Sequence, residues 1–146
     1  MPVYFHSEET RFYLTNRKIY RHWVENFIKS KSKSLGELNF IFTNNDYLLK
    51  INRQYLNHNY YTDVITFDYN ELELISGDIF ISVDQVRENC RDMNVSFTNE
   101  LCRVMIHGVL HLLGYRDGNS EERSKMRMLE NEALKILKGY ESGNGV

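Results

Sequence analysis

The chain has 146 residues, 42% hydrophobic and 26% charged, with a single proline, which suffices for one buried core and excludes disordered, collagen-like and proline-rich classes. A net charge of −2 argues against a protein built to coat nucleic acid non-specifically, and Cys90 and Cys102 are too few for a disulfide framework or a four-cysteine metal site. No run reaches the roughly 18 to 20 apolar residues of a membrane-spanning helix, and His6, Glu8, Glu9 and Arg11 interrupt the start where a secretory signal would be apolar, so one cytoplasmic domain over residues 1–146, with no membrane partner, is expected.

In chain order, Val3 to His6 reads as a short strand and Asn16 to Lys29 as a helix, with Ile19, Trp23, Phe27 and Ile28 at helical spacing. Ser30 to Ser34 reads as a polar loop. Leu38, Phe40 and Phe42 alternate with polar residues in a half-buried strand from Glu37 to Thr43, and Asn-Asn-Asp then caps a helix from about Asp46 to Leu56. Val64 to Tyr69 and Asp78 to Val83 are β-branched and aromatic, and the Asn70 to Gly77 connection is short enough for a hairpin. Asp84 to Met93, Thr98 to Leu113 and Ser120 to about Lys138 read as helices, with Gly139 to Val146 a frayed tail. This order predicts an α+β fold, a small mixed sheet covered by helices. Both cysteines read as buried small apolar side chains.

Charge is distributed unevenly. Arg11 to Lys33 holds seven basic residues against Glu25, a local +6, and Glu71 to Glu100 holds seven acids against Arg87 and Arg91, a local −5. The basic segment reads equally as an orienting field for an anionic substrate or as a solvated helix face.

The segment His107-Gly108-Val109-Leu110-His111-Leu112-Leu113-Gly114-Tyr115-Arg116-Asp117 carries the chemistry. Residues four apart share a helix face with Cβ atoms roughly 5 to 6 Å apart, within reach of one metal ion. Gly114 can end the helix in a left-handed conformation and turn the chain so that Asp117 approaches the same ion. Two nitrogens and one oxygen make an open three-ligand site for one divalent ion, expected to be zinc, that activates water for a hydrolysis. The spacing matches the metzincin metalloproteases, but the position of their general-base Glu is Gly108, which accepts no proton. Taken alone, two histidines in an apolar helix are also compatible with core packing, and Asp117-Gly118 with a simple turn.

At these residues the sequence resembles the YbeY-type endoribonucleases, the rRNA maturation factors. Ile51-Asn52-Arg53-Gln54-Tyr55, Thr62-Asp63-Val64-Ile65-Thr66-Phe67 and Gly77-Asp78-Ile79 resemble that family's central segments. The resemblance implies an α+β fold whose metal-binding helix lines a cleft, and a metal-dependent, single-strand-specific endoribonuclease. It also implies action on rRNA precursors, including the 3′ end of the small-subunit RNA, and a part in ribosome quality control. Two positions depart from the family pattern: Asp117 replaces its usual third His, preceded by Arg116 where the family usually has Asp, and Leu56 replaces a usual Arg. Arg53 is then the candidate for stabilising charge on the phosphoryl oxygens. A non-catalytic ribosome assembly factor with a structural metal and a metzincin-like hydrolase are the alternatives. Thr62 and Asp63 read as a turn cap ahead of substrate contact, and Tyr60, Tyr61 and Tyr69 as sheet packing ahead of base stacking.

Overall fold

A computed structural model describes residues 2–141. The elements run β1 (Val3–Ser7), α1 (Arg17–Ser30), β2 (Ser34–Thr43), α2 (Asn45–Leu56), β3 (Val64–Asp68), β4 (Leu74–Ser82), α3 (Val83–Met93), α4 (Phe97–Leu112) and α5 (Ser120–Glu141). The strands form one sheet in the order β1-β2-β4-β3, with β1, β2 and β4 parallel and β3 antiparallel to β4. This is the mixed sheet of an α+β fold. Among the described residues no helix is long and apolar enough to cross a membrane.

Strand alternation decides which face is covered. Leu38, Phe40 and Phe42 of β2, with Ile75, Ile79 and Ile81 of β4, point into a core closed by α1, α4 and α5, where Trp23, Met105, Ile106 and Leu110 are fully buried. Each such side chain contributes roughly 1.5–3 kcal/mol. Trp23 Nε1 also donates to the Ala133 carbonyl at 2.8 Å, locking α1 to α5. On the opposite face lies α2, where Tyr47 stacks on Phe80 and Leu48 is buried.

Several boundaries move from the sequence expectation. Strand β2 begins at Ser34 and β4 at Leu74, because pairing of Ser34 with Leu74 and Leu35 with Ile75 extends the ladder past a register shift ahead of Leu38 and Gly77. The hairpin connection therefore shrinks to residues 69–73. Helix α5 does not fray at Gly139 but runs to Glu141, since Leu137 and Tyr140 are buried and the Tyr140 hydroxyl accepts from Asn26 Nδ2; residues 142–146 of the expected tail lie outside the described residues. Both cysteines are buried thiols as expected, and burial pushes the Cys102 thiol up to about 12, leaving it inert.

The basic segment is largely spent inside the molecule. Arg17 and Arg21 donate to the carbonyls of Leu14 and Val3 and lie over Phe5, while Lys29, Lys31 and Lys33 pair with Glu25, Glu132 and Glu73.

Helix α4 packs so closely on β4 that a Cβ built on Gly108 would sit 2.7 Å from Ile79 Cγ2, on a branched side chain with little freedom to yield. Gly108→Ala is expected to lower stability by about 1 kcal/mol, the overpacking cost of roughly 1–3 kcal/mol outweighing the ~1 kcal/mol helical gain of Ala over Gly. A urea midpoint unchanged or raised in the variant would contradict that packing.

Candidate metal centre and cleft

Helix α4 is capped by Ser96, whose hydroxyl accepts from the Asn99 N–H at 3.0 Å. Most of its surface is apolar and buried, but Glu100, Arg103, His107 and His111 recur at intervals of three and four and form one polar stripe. The helix ends in a Schellman motif: Gly114 takes φ 99°, its N–H bonds the His111 carbonyl at 3.0 Å, and the Tyr115 N–H bonds the Leu110 carbonyl at 3.0 Å. The turn returns the chain over the stripe. Asp117 Oδ2 thereby stands 3.4 Å from His107 Nε2 and 3.6 Å from His111 Nε2.

Hydrogen bonds settle the tautomers. His107 Nδ1 lies 2.6 Å from Glu130 Oε2 and His111 Nδ1 lies 3.1 Å from the Tyr115 carbonyl; both partners only accept, so both Nδ1 atoms donate. In the neutral rings each Nε2 then presents a lone pair, and the two face one another at 3.0 Å beside a carboxylate oxygen. Burial, and then the neighbouring His107, lower the His111 pKa and favour its neutral form. Three acceptors that close repel unless a cation lies among them. Their separations of 3.0, 3.4 and 3.6 Å bracket the ~3.3 Å expected between donors about 2.0–2.1 Å from a tetrahedral ion. The residues fit a divalent metal, and this is the one such cluster of His, Cys, Asp and Glu among the described residues.

Behind His107 stands a buried ionic chain that the sequence reading missed. Glu130 is 1% exposed and Glu100 0%. Arg103 bridges them, binding Glu100 through two nitrogens and Glu130 Oε1 at 3.1 Å. Burial raises the Glu130 carboxyl, but its bond to His107 and the charge of Arg103 outweigh that and hold it below the usual glutamate range. Arg103 and, at 3.7 Å, Arg127 balance the two carboxylates, and the ionised Glu130 on the Nδ1–H of His107 raises the basicity of the ring toward a cation at Nε2. The spacing of Glu100 and Arg103 ahead of His107 on an otherwise apolar helix was the available signal; Glu130, 23 residues beyond His107, gave none.

The cluster opens on a cleft of about 690 Å³, walled by Thr62 and Asp63 and then by β3 through Val64, Thr66 and Asp68, and by the turn through Tyr115 and Arg116. Burial raises the pKa of Asp63, whose carboxylate accepts from Asn89 at 3.0 Å and whose carbonyl accepts from the Ser82 N–H at 2.9 Å in continuation of the β3–β4 ladder, so its side chain is tied to α3 while the residue also lines the cleft. Tyr60 stands at the cleft edge; it, Tyr61 and Tyr69 are 55–57% exposed, contrary to the expected sheet packing, because they flank β3 in loops and do not point into the core. Buried Asn52 holds the Tyr60 carbonyl at 2.9 Å and His58 stacks on the Tyr60 ring. Arg53 does not line the cleft: its Nε donates to Asn59 Oδ1 at 2.5 Å in the loop after α2, at whose end Leu56 is exposed. Asn70, also unanticipated, receives the Ser76 N–H and donates to the Leu112 carbonyl, tying the hairpin to the end of α4.

The family model described as Endoribonuclease YbeY matches residues 4–138. The protein named Endoribonuclease YbeY of Flavobacterium psychrophilum is 50% identical over 129 residues, covering 88% of this chain and 92% of the relative. That of Cytophaga hutchinsonii is 42% identical over 137 residues, covering 93% and 96%. A solution structure from Thermotoga maritima superposes with a TM-score of 0.67 at 25% identity, covering 97% of this chain and 93% of the other.

Loss of either imidazole should empty a three-ligand site, so His107→Ala and His111→Ala are expected to purify with far less than one metal equivalent. Glu130→Gln should keep the ion but bind it about 10–100-fold more weakly, since the partner that fixes the ring is lost. Elemental analysis and competition with a chelator read both effects; stoichiometric metal in the doubly substituted His107→Ala/His111→Ala protein would remove the cluster from consideration.

Proposed function

This chain belongs to the YbeY endoribonuclease family, and from that premise we propose that it is a metal-dependent endoribonuclease cutting single-stranded RNA within ribosomal RNA precursors, with His107, His111 and Asp117 as its ligands. The supporting observation is the convergence of two Nε2 lone pairs and a carboxylate oxygen on the wall of an open polar cleft. Zinc is the proposed ion, from the two-nitrogen, one-oxygen donor set. Bound there, it supplies the Lewis acidity that polarises a phosphoryl oxygen and acidifies water.

The protein's own groups do the rest. Glu130 and the Tyr115 carbonyl hold both rings in the tautomer that leaves Nε2 available, so no reorganisation accompanies catalysis. Tyr60, exposed and braced by His58 and Asn52, offers a ring on which an unpaired base stacks, a contact worth about 1–3 kcal/mol and open only to unpaired RNA. Arg53, bound to Asn59, positions the loop that carries Tyr60. The precursor of the small ribosomal subunit in the cytoplasm is the proposed context, and the chain acts as a single domain.

Both alternatives meet specific obstacles. A peptidase would need its base at Gly108, and that position faces Ile79 in the core. A purely structural ion would need a closed shell, whereas the Asp117 side chain is 43% and that of His111 29% exposed toward the cleft.

The direct test incubates an unstructured oligoribonucleotide and its duplex with purified protein. Internal cleavage of the single strand alone, abolished by a chelator, restored by zinc and absent in His111→Ala, is expected; equal cleavage by His111→Ala would refute the assignment. Asp117→His is expected to retain the ion and to cleave at neutral pH at least as fast as the parent, because a neutral third donor cancels less of the ion's charge. Metal content unaffected by Asp117→Ala would instead remove Asp117 from the ligand set.

A further inference from the structure

Most of the cations that the sequence concentrates are already answered, and a second group, near the cleft, is not. Five of the seven basic residues of the Arg11 to Lys33 segment are engaged, two by backbone carbonyls and three by carboxylates. By contrast the turn between α4 and α5 and the first turns of α5 present Arg116, Arg123 and Lys125, all exposed. The acids nearest in sequence are partly committed: Asp117 faces the two imidazoles and Glu122 Oε1 accepts from the Gly118 N–H, leaving Glu121 as the free one.

Position gives these cations their meaning. Arg116 lines the cleft that contains His107, His111 and Asp117, and it also lines an adjoining groove of about 450 Å³ shared with Tyr115, Lys125 and Glu122, whose Oε1 is held by the Gly118 N–H. The two hollows meet at Gly114, Tyr115 and Arg116. On the other side of Asp117 a smaller hollow of about 160 Å³ is lined by Arg123 and Arg127; Arg127 is drawn toward Glu130 at 3.7 Å and is the less free of the two. A strand whose scissile phosphate lies at the metal cluster and whose base rests on Tyr60 has this turn on one side and β3 on the other. The wall along β3 carries Asp63 and Asp68 and no cation, so it offers a phosphate nothing to bind. The turn carries guanidinium and ammonium groups without partners.

Resting on the endoribonuclease reading, we propose that Arg116 and Lys125 bind successive backbone phosphates of the RNA strand as it leaves the cleft through the groove beside α5, fixing the strand's direction across the metal cluster. Binding of this kind is independent of base identity and depends on salt, each phosphate contact on a single strand adding about 0.7 to the slope of log affinity against log salt. Arg116 suits the role by its fork of donors, and Lys125 as a mobile point charge.

The test uses the zinc-loaded full chain and a fluorescent unstructured oligoribonucleotide, with kcat and KM measured across a potassium chloride series. Arg116→Gln/Lys125→Gln is expected to raise KM about tenfold and to reduce the salt slope of kcat/KM by about 1.4, two contacts at about 0.7 each, with metal content and thermal midpoint equal to the parent. Arg116→Lys should recover most of the slope. Lys18→Gln/Lys29→Gln removes the same charge from the exposed face of α1 and should leave slope and KM unchanged. An unchanged slope in the Arg116/Lys125 variant, or an equal loss in the α1 control, would overturn the proposal. Failure of the parent to cleave RNA at all would instead strike the endoribonuclease reading.

Discussion

The site depends on two Nδ1–H donors held by fixed acceptors. The Tyr115 carbonyl is available to His111 only because Gly114 turns the chain, and Glu130 is available to His107 only because α5 packs against α4 with Arg103 holding the carboxylate. An unanchored imidazole exchanges tautomers and rotates; these two cannot without breaking a hydrogen bond in a part-buried setting, where an orphaned partner costs about 1–3 kcal/mol. The Schellman turn thus satisfies the helix end, orients His111 and delivers Asp117. One backbone feature serves three requirements.

Supporting that arrangement is a buried charge chain that is unfavourable in isolation. Taking Glu100, Arg103 and Glu130 out of water costs several kcal/mol per ion before any attraction is counted, and a hydrophobic trio would pack without that penalty. The chain makes sense as part of an ion site: it holds the ionised Glu130 against the Nδ1–H of His107, which raises ring basicity and favours a cation at Nε2. Asn70 fixes the end of α4 from the sheet side and Gly108 lets the helix lie close on β4, so the ring positions are set from both flanks.

How much of this the sequence discloses varies with the range of the interaction. His107, His111, Gly114 and Asp117 were legible because their relation is local, spanning less than two helical turns and one cap. The alternation of Leu38, Phe40 and Phe42 likewise identified a strand and its buried face. Strand ends were not legible, since Ser34 and Leu35 look like loop until they find Leu74 and Ile75 across the sheet. The Glu130 contact crosses 23 residues and the Trp23 bond 110; no period in one sequence reports such pairs. Charge counting misled most readily, because a segment rich in lysine and arginine says nothing of whether its charges are already answered by Glu25, Glu73 and Glu132.

The two departures at residues 116 and 117 are better understood together than singly. The resembled family usually places an acid and then a neutral imidazole there; this chain places a guanidinium and then a carboxylate, so the pair goes from a net −1 to zero. A carboxylate among the proposed ligands weakens the ion as an electrophile. The neighbouring guanidinium does not reverse that, because it faces the cleft and the adjoining groove and has no contact with the imidazoles. It acts on whatever anion occupies the cleft. On the proposed reading, charge is moved from the ion to the surface along which a polyanion would lie, and the loss of polarising power at one phosphate is offset by a firmer hold on the strand. On this account Arg116 and Asp117 form a coupled pair: restoring a neutral ligand at 117 increases the attraction for phosphate at the ion itself, and dependence on Arg116 then falls.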